Sequence, residues 1–139
     1  MTQINAYLTF DGNCREAMNF YKECLGGELV LNTVAGSAME ASCKPEHKDL
    51  IMHATLTNGG LLLMASDNLM SAERLTIGND VTLSLNCSSD KEINTYFSKL
   101  AEGGEIEMPL MTQFWGATFG MLKDKYGKSW MLNYDKPAQ

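Results

Sequence analysis

Acid–base chemistry in this chain would fall first to its two histidines, His47 and His53. His53 lies in "IMHATLT", where His53, Thr55 and Thr57 alternate with Met52, Ala54 and Leu56. A period of two puts an imidazole and two hydroxyls on one face of a strand. His53 is therefore the candidate catalytic group, as a general base. The competing reading is a hydrogen-bonded strand histidine facing water. His47, in "CKPEHKD", reads as loop surface. Metal or thiol chemistry finds less support. Cys14, Cys24, Cys43 and Cys87 form no C-x-x-C pair and no zinc-like spacing, and they read as small, partly buried hydrophobes. There is no G-x-S-x-G elbow and no phosphate-binding loop. The ten methionines read as dispersed, without the clustering that would point to copper. Met18, Met52 and Met121 are expected in the core, and Met64 and Met131 as the soft floor of a pocket.

The elements that must position these residues come from a repeat. "AYLTFDGNCREAMNFYKECLGGEL" (Ala6 to Leu29) runs parallel to "LSLNCSSDKEINTYFSKLAEGGEI" (Leu83 to Ile106). At one constant offset Leu8 matches Leu85, Phe20 matches Phe97, Lys22 matches Lys99, and Gly26-Gly27-Glu28 matches Gly103-Gly104-Glu105. Each segment reads as a strand, a polar turn with a cap candidate (Asn13, Asp90), an amphipathic helix and a Gly-Gly stop in the αL conformation. Each is followed by a further strand and a hairpin. The hairpins turn at Asn58-Gly59-Gly60 and at Asp124 to Gly127. The order is strand–helix–strand–strand–strand, twice, with a looser segment from Ala35 to Lys48.

Alternation also assigns faces. Ile4, Ala6, Leu8 and Phe10, and in the second half Val81, Leu83, Leu85 and Cys87, should pack on the helices. The helices offer stripes of Ala17, Phe20, Tyr21 and Cys24, and of Ile93, Phe97 and Leu100. The opposite faces carry Asn5, Tyr7 and Thr9, and Asp80, Thr82, Ser84 and Asn86. Such faces either meet bulk water or line a polar cleft. In the second case Asn5, Tyr7, His53, Thr55, Met64, Asp80, Thr82 and Met131 fall in or near a pocket. Tyr7 and Trp115 could stack on a planar ligand. Asp67, after "LLLMAS", reads as a cap of the following turn. Glu16 and Glu23 read as solvated helix residues.

The composition bounds partners. A net charge of −6 with scattered Lys and Arg excludes the basic stripe that nucleic acid requires. No apolar run is long enough for a membrane span, and the N-terminus shows no secretory pattern, so a cytoplasmic location is expected.

Three runs carry a family resemblance: "AYLTFDGNCREAMNFYKECLGGEL", "LLLMASD" and "MPLMTQFWGATFGMLKDKYGKSWML". The chain resembles, along essentially its whole length, the PhnB-like branch of the glyoxalase/bleomycin-resistance/dioxygenase (vicinal oxygen chelate) superfamily. The resemblance implies an α+β fold of two βαβββ modules, about 1–70 and about 78–136, within a single glyoxalase-like domain over residues 1–139. It further implies curved mixed sheets with helices on the outer face, and a homodimer. Metal-dependent members hold a divalent ion with side chains from the first and last strand of each module. Those positions fall here on Asn5 (or Ala6), Met64, Asp80 (or Thr82) and Met131. Thioethers are poor ligands for Mg, Mn, Fe(II) or Ni, so no metal or other cofactor is expected. A divalent metal remains the alternative, in a lyase or dioxygenase built on Asp80 and His53. The preferred expectation is a metal-free cavity for a small molecule, with Asn5, Tyr7, His53, Thr55, Met64, Asp80, Thr82, Trp115 and Met131 as binding residues. A structural or interaction protein with vestigial cavities is the third reading. Within the last run, Trp130 should face the helices, and Phe114-Trp115-Gly116 should form a cavity lip or a dimer contact.

Overall fold

The computed structural model describes residues 2–37, 40–42, 44–69 and 74–137. The chain divides into two compact units, Met1–Thr76 and Ile77–Gln139. In the first, β1 (Ala6–Phe10), α1 (Cys14–Leu25), β2 (Glu28–Thr33), β3 (Ile51–Asn58) and β4 (Leu61–Asp67) follow one another. In the second the order is β5 (Leu83–Asn86), α2 (Asp90–Leu100), β6 (Glu105–Thr112), β7 (Ala117–Lys123) and β8 (Ser129–Asp135). Each unit is thus βαβββ. The sheet orders correspond too, β1-β4-β3-β2 and β5-β8-β7-β6, and in each the first strand pairs with the last in parallel.

The helices form where their apolar stripes recur every three to four residues. Ala17, Phe20, Tyr21 and Cys24 are all buried on α1, as are Ile93, Phe97 and Leu100 on α2. α1 packs on β2, β3 and β4, and α2 on β7 and β8. Leu56, Leu63 and Ala65 meet the first helix layer from the sheet side, and Leu122, Trp130 and Leu132 the second. Trp130 therefore faces the helices as expected.

The ends of these elements depart from the sequence expectation in four places. Ser89 caps α2, accepting a 3.1 Å hydrogen bond from the Glu92 N–H, so Asp90 is the first helical residue and not the cap. Asn13 makes no side-chain cap on α1; that role passes to Asp67, far along the chain. Gly26 ends α1 at φ 74°, ψ −169°, an extended conformation open only to glycine, in place of the expected αL turn. Ile4 (99% exposed) and Val81 (74% exposed) precede β1 and β5 and lie beyond the helix cover, so neither joins the core.

A β-bulge explains a fifth difference. The β2–β3 register shifts between Asn32 and Thr33, so that Asn32 faces His53 while Thr33 faces Ile51. The extra residue puts Ile51 in the core and leaves Met52, expected there, half-buried. Met18 is buried as expected, whereas Met121 is half-buried on the opposite face of its sheet.

The Gly-Gly stops have a second role. A Cβ on Gly27 would run into the Thr57 carbonyl oxygen and lie 2.7 Å from the Asn58 Cβ. A Cβ on Gly104 would run into the Lys123 carbonyl and lie 2.9 Å from the Asp124 Cα. In both units the second glycine lets the chain leaving the helix pass against a hairpin end. In the first, the Asn58 side chain also donates to the Leu25 carbonyl at 2.8 Å, tying the hairpin to the end of α1.

Candidate functional site

Strand register decides which side chains meet on the helix-free face. In the first unit Met64 lies opposite both Tyr7 and Thr55, and Thr55 opposite Val30. Directly opposed residues share a face, so Tyr7, Met64, Thr55 and Val30 form one row across four strands. His53 stands two residues before Thr55 on the same face, opposite Asn32. The Tyr7 hydroxyl lies 3.2 Å from His53 Nδ1, and the two rings stack with centroids 5.7 Å apart and planes at 29°. Tyr7 is 47% exposed, so the pair is open to an incoming molecule. When the hydroxyl donates to Nδ1, Nε2 carries the ring proton and is free to donate outward. The partner of His53 Nδ1 is this hydroxyl and not a carboxylate, so the geometry favours polar recognition over a carboxylate-oriented general base.

The structure thus brings together Tyr7, His53, Thr55 and Met64. Asn5 precedes β1 and lines an open groove of about 580 Å³ beside the β3–β4 turn, with Ile4, Thr57, Gly59 and Leu62. In the second unit Asp80 and Thr82 precede β5 in place of lying on it, and Asp80 is exposed with its Oδ1 beside Gly78. The sequence pattern extended the strand too far because alternation continues past the last backbone pairing. Met131 does sit at the centre of its sheet, opposite Ser84 and Met121. Trp115 is half-exposed on the β6–β7 turn, packed edge-on against Phe114 at 5.0 Å and Phe119 at 6.3 Å.

Two features escaped sequence reasoning. The methionines are not dispersed in space: Met121 lies opposite both Met131 and Met108, and Met111 lies opposite Phe119. The signal was present in "MPLM", where Met108 and Met111 have M-x-x-M spacing. Asp124 is buried and accepts from the Tyr126 N–H (2.8 Å), the Lys128 N–H (3.0 Å) and the Trp130 indole (2.8 Å), which fixes the β7–β8 turn.

A hard divalent ion does not fit the residues present. The two last-strand positions carry thioethers, and the two first-strand positions, Asn5 and Asp80, lie outside their strands. Among the described residues no three His, Cys, Asp or Glu side chains converge.

The cysteines have structural surroundings. Cys14 and Cys24 are buried and Cys87 is half-buried, while Cys43 lies outside the described residues. Burial first, and then the Asp67 carboxylate, push the Cys14 thiol up to about 12; burial and Glu92 push Cys87 up to about 11. A thiol raised from 9.0 stabilises the fold fully below pH 9 and loses that contribution as pH rises through about 12. Thermal melts should therefore show a fall in Tm above pH 9 that is shallower in Cys14→Ala than in the parent chain. Equal slopes would show that the thiol is not held neutral.

The two βαβββ units have the glyoxalase-type fold, shared at 13% to 17% identity with a solved glyoxalase-related enzyme from Fulvimarina pelagi, a glyoxalase/bleomycin resistance protein/dioxygenase family enzyme from Burkholderia phytofirmans and a glyoxalase/bleomycin resistance protein from Albidiferax ferrireducens. The family model described as 3-demethylubiquinone-9 3-methyltransferase matches residues 2–133, and the chain belongs to this PhnB-like family. It is 33% identical to protein YjdN of Escherichia coli, over 96% of this chain and 95% of that one. The crystal structure of PA1353 from Pseudomonas aeruginosa is 41% identical with a TM-score of 0.86, covering 99% of this chain and 100% of the other. A PhnB protein from Bacillus cereus is 32% identical with a TM-score of 0.70, covering 96% and 99%.

Proposed function

We propose that this protein binds a small molecule, without a metal, on the open face of the β1-β4-β3-β2 sheet. The observation that carries this reading is the Tyr7–His53 pair, stacked and hydrogen-bonded beside Thr55 and Met64. The pair offers a planar apolar surface with a polar edge, and Met64 offers a soft, adaptable floor. An aromatic or oxyanion-bearing metabolite suits that combination. Methyl transfer, which the family description names, receives no support from the glycines. Several, Gly27, Gly104 and Gly120 among them, have close-packing roles, and no G-x-G-x-x-G loop exists for a nucleoside-bearing cofactor. The protein is further taken to be a cytoplasmic homodimer, for which exposed Ile106, Met111 and Phe114 supply apolar surface; sedimentation velocity tests the dimer.

The function test is a thermal-shift screen of small aromatic and oxyanionic metabolites, followed by titration of each hit against Tyr7→Phe and His53→Ala. Loss of a recognition hydrogen bond should weaken a true ligand about tenfold. Hits that bind both variants as tightly as the parent chain would place binding elsewhere.

A further inference from the structure

The two sheets carry the same central row with different chemistry. In the first unit it reads Tyr7, Met64, Thr55, Val30; in the second it reads Ser84, Met131, Met121, Met108. Three thioethers thus stand side by side across β8, β7 and β6, where the first unit has one. We propose that the Met131–Met121–Met108 row is a binding site for one soft monovalent cation, Cu(I), with Ag(I) as its redox-stable equivalent.

Neutral sulfur donors select soft, polarisable ions and reject hard divalent ions. Directly opposed side chains have Cβ atoms about 4.5–5.5 Å apart. A methionine has three rotatable side-chain bonds, so the outer two sulfurs can lean over the central one. The register shifts on both sides of Met108, a local irregularity of the kind that re-aims a side chain. Met108 is 39% exposed and Met121 and Met131 half-buried, which leaves the row reachable by an ion from solvent. Met111 holds a fourth thioether close by, opposite Phe119, and Phe119 touches Trp115. The net charge of −6 favours cation approach. An apolar floor would need only volume, whereas this proposal needs the sulfur, and leucine separates the two.

The experiment uses the full chain with Cys43→Ser and Cys87→Ser, labelled with ¹³C in the methionine ε-methyl groups, and silver nitrate in chloride-free buffer. At one equivalent, the Met108, Met121 and Met131 methyl resonances should move together while Met18 and Met64 stay in place. Met121→Leu conserves volume and should weaken Ag(I) binding by about tenfold or more in calorimetry, since even an outer-sphere partner is worth about 10–100-fold in a metal site. Should that variant not fold, Met108→Leu at the exposed end of the row provides the same comparison. No methyl shift at one equivalent, shifts spread over all methionines, or unchanged affinity in the folded leucine variant would each overturn the proposal.

Discussion

Gly27→Ala is expected to lower the unfolding free energy by roughly 3–5 kcal/mol, combining a strained positive φ with a steric overlap. Gly27 has φ +96°, and the added Cβ meets the Thr57 carbonyl oxygen and the Asn58 Cβ, both part of the sheet and unable to move alone. Relief would require the β3 end to shift away from α1, breaking the Asn58–Leu25 hydrogen bond on the way. Gly36→Ala is the control. It has φ +79° with nothing within 4 Å of an added Cβ, so it carries the dihedral cost alone, about 1 kcal/mol. Urea unfolding at unchanged m-value should show a large gap between the two midpoints. Gly104→Ala should show the steric part of the loss without the dihedral part, because its Cβ would strike the Lys123 carbonyl while its φ is not positive. Equal midpoints for Gly27→Ala and Gly36→Ala would remove the close-approach argument.

Asp67→Ala is the second large effect. Asp67 is 3% exposed, and its carboxylate accepts from the Cys14 N–H at 3.0 Å and from the Ile51 N–H at 2.8 Å. One bond satisfies the first turn of α1, where a negative charge also favours the helix dipole, and the other pins the start of β3. Removing the side chain leaves two buried donors without a partner, at about 1–3 kcal/mol each. The expected loss is therefore roughly 3–5 kcal/mol. Asp67→Asn keeps one acceptor and turns an N–H₂ group toward the other donor, so it should fall between the two. Amide exchange gives a local readout: Cys14 and Ile51 should lose protection in both variants relative to their neighbours in the same elements.

The sequence made the repeat, the element order and the helix faces legible because each is written in local periodicity. Ala17, Phe20, Tyr21 and Cys24 recur at helical spacing wherever the helix ends up. What depends on a partner strand was not legible. The bulge that exchanges Ile51 for Met52 is defined by β2, and Asp67 finds its donors more than fifty residues upstream at Cys14 and also at Ile51. The same limit applied to the candidate site. Tyr7, His53, Thr55 and Met64 could be assigned to one face, but the Tyr7–His53 bond follows from parallel pairing of β1 with β4. The methionine row is not legible as a row: the sequence puts Met131 on a pocket floor and Met121 in the core, and 108, 121 and 131 become neighbours only once three strands are in register. Asp80 and Val81 show the converse error, a pattern that persists after pairing has stopped.

The parallel pairing of first and last strand has a consequence for synthesis. In the order β1-β4-β3-β2, the first strand touches the sheet only through the last. A nascent chain that has emerged as far as Asn58 can form the β2–β3 pair and dock α1, but β1 has no strand to join until Leu61–Asp67 follows. Completion of the sheet and capping of α1 by Asp67 then coincide, so the unit should acquire protease resistance in one step, when the ribosome exposes residue 67. The second unit, with order β5-β8-β7-β6, repeats the delay: its β5 has no strand to join until Ser129–Asp135 has emerged, and that unit should become resistant in one step at that point.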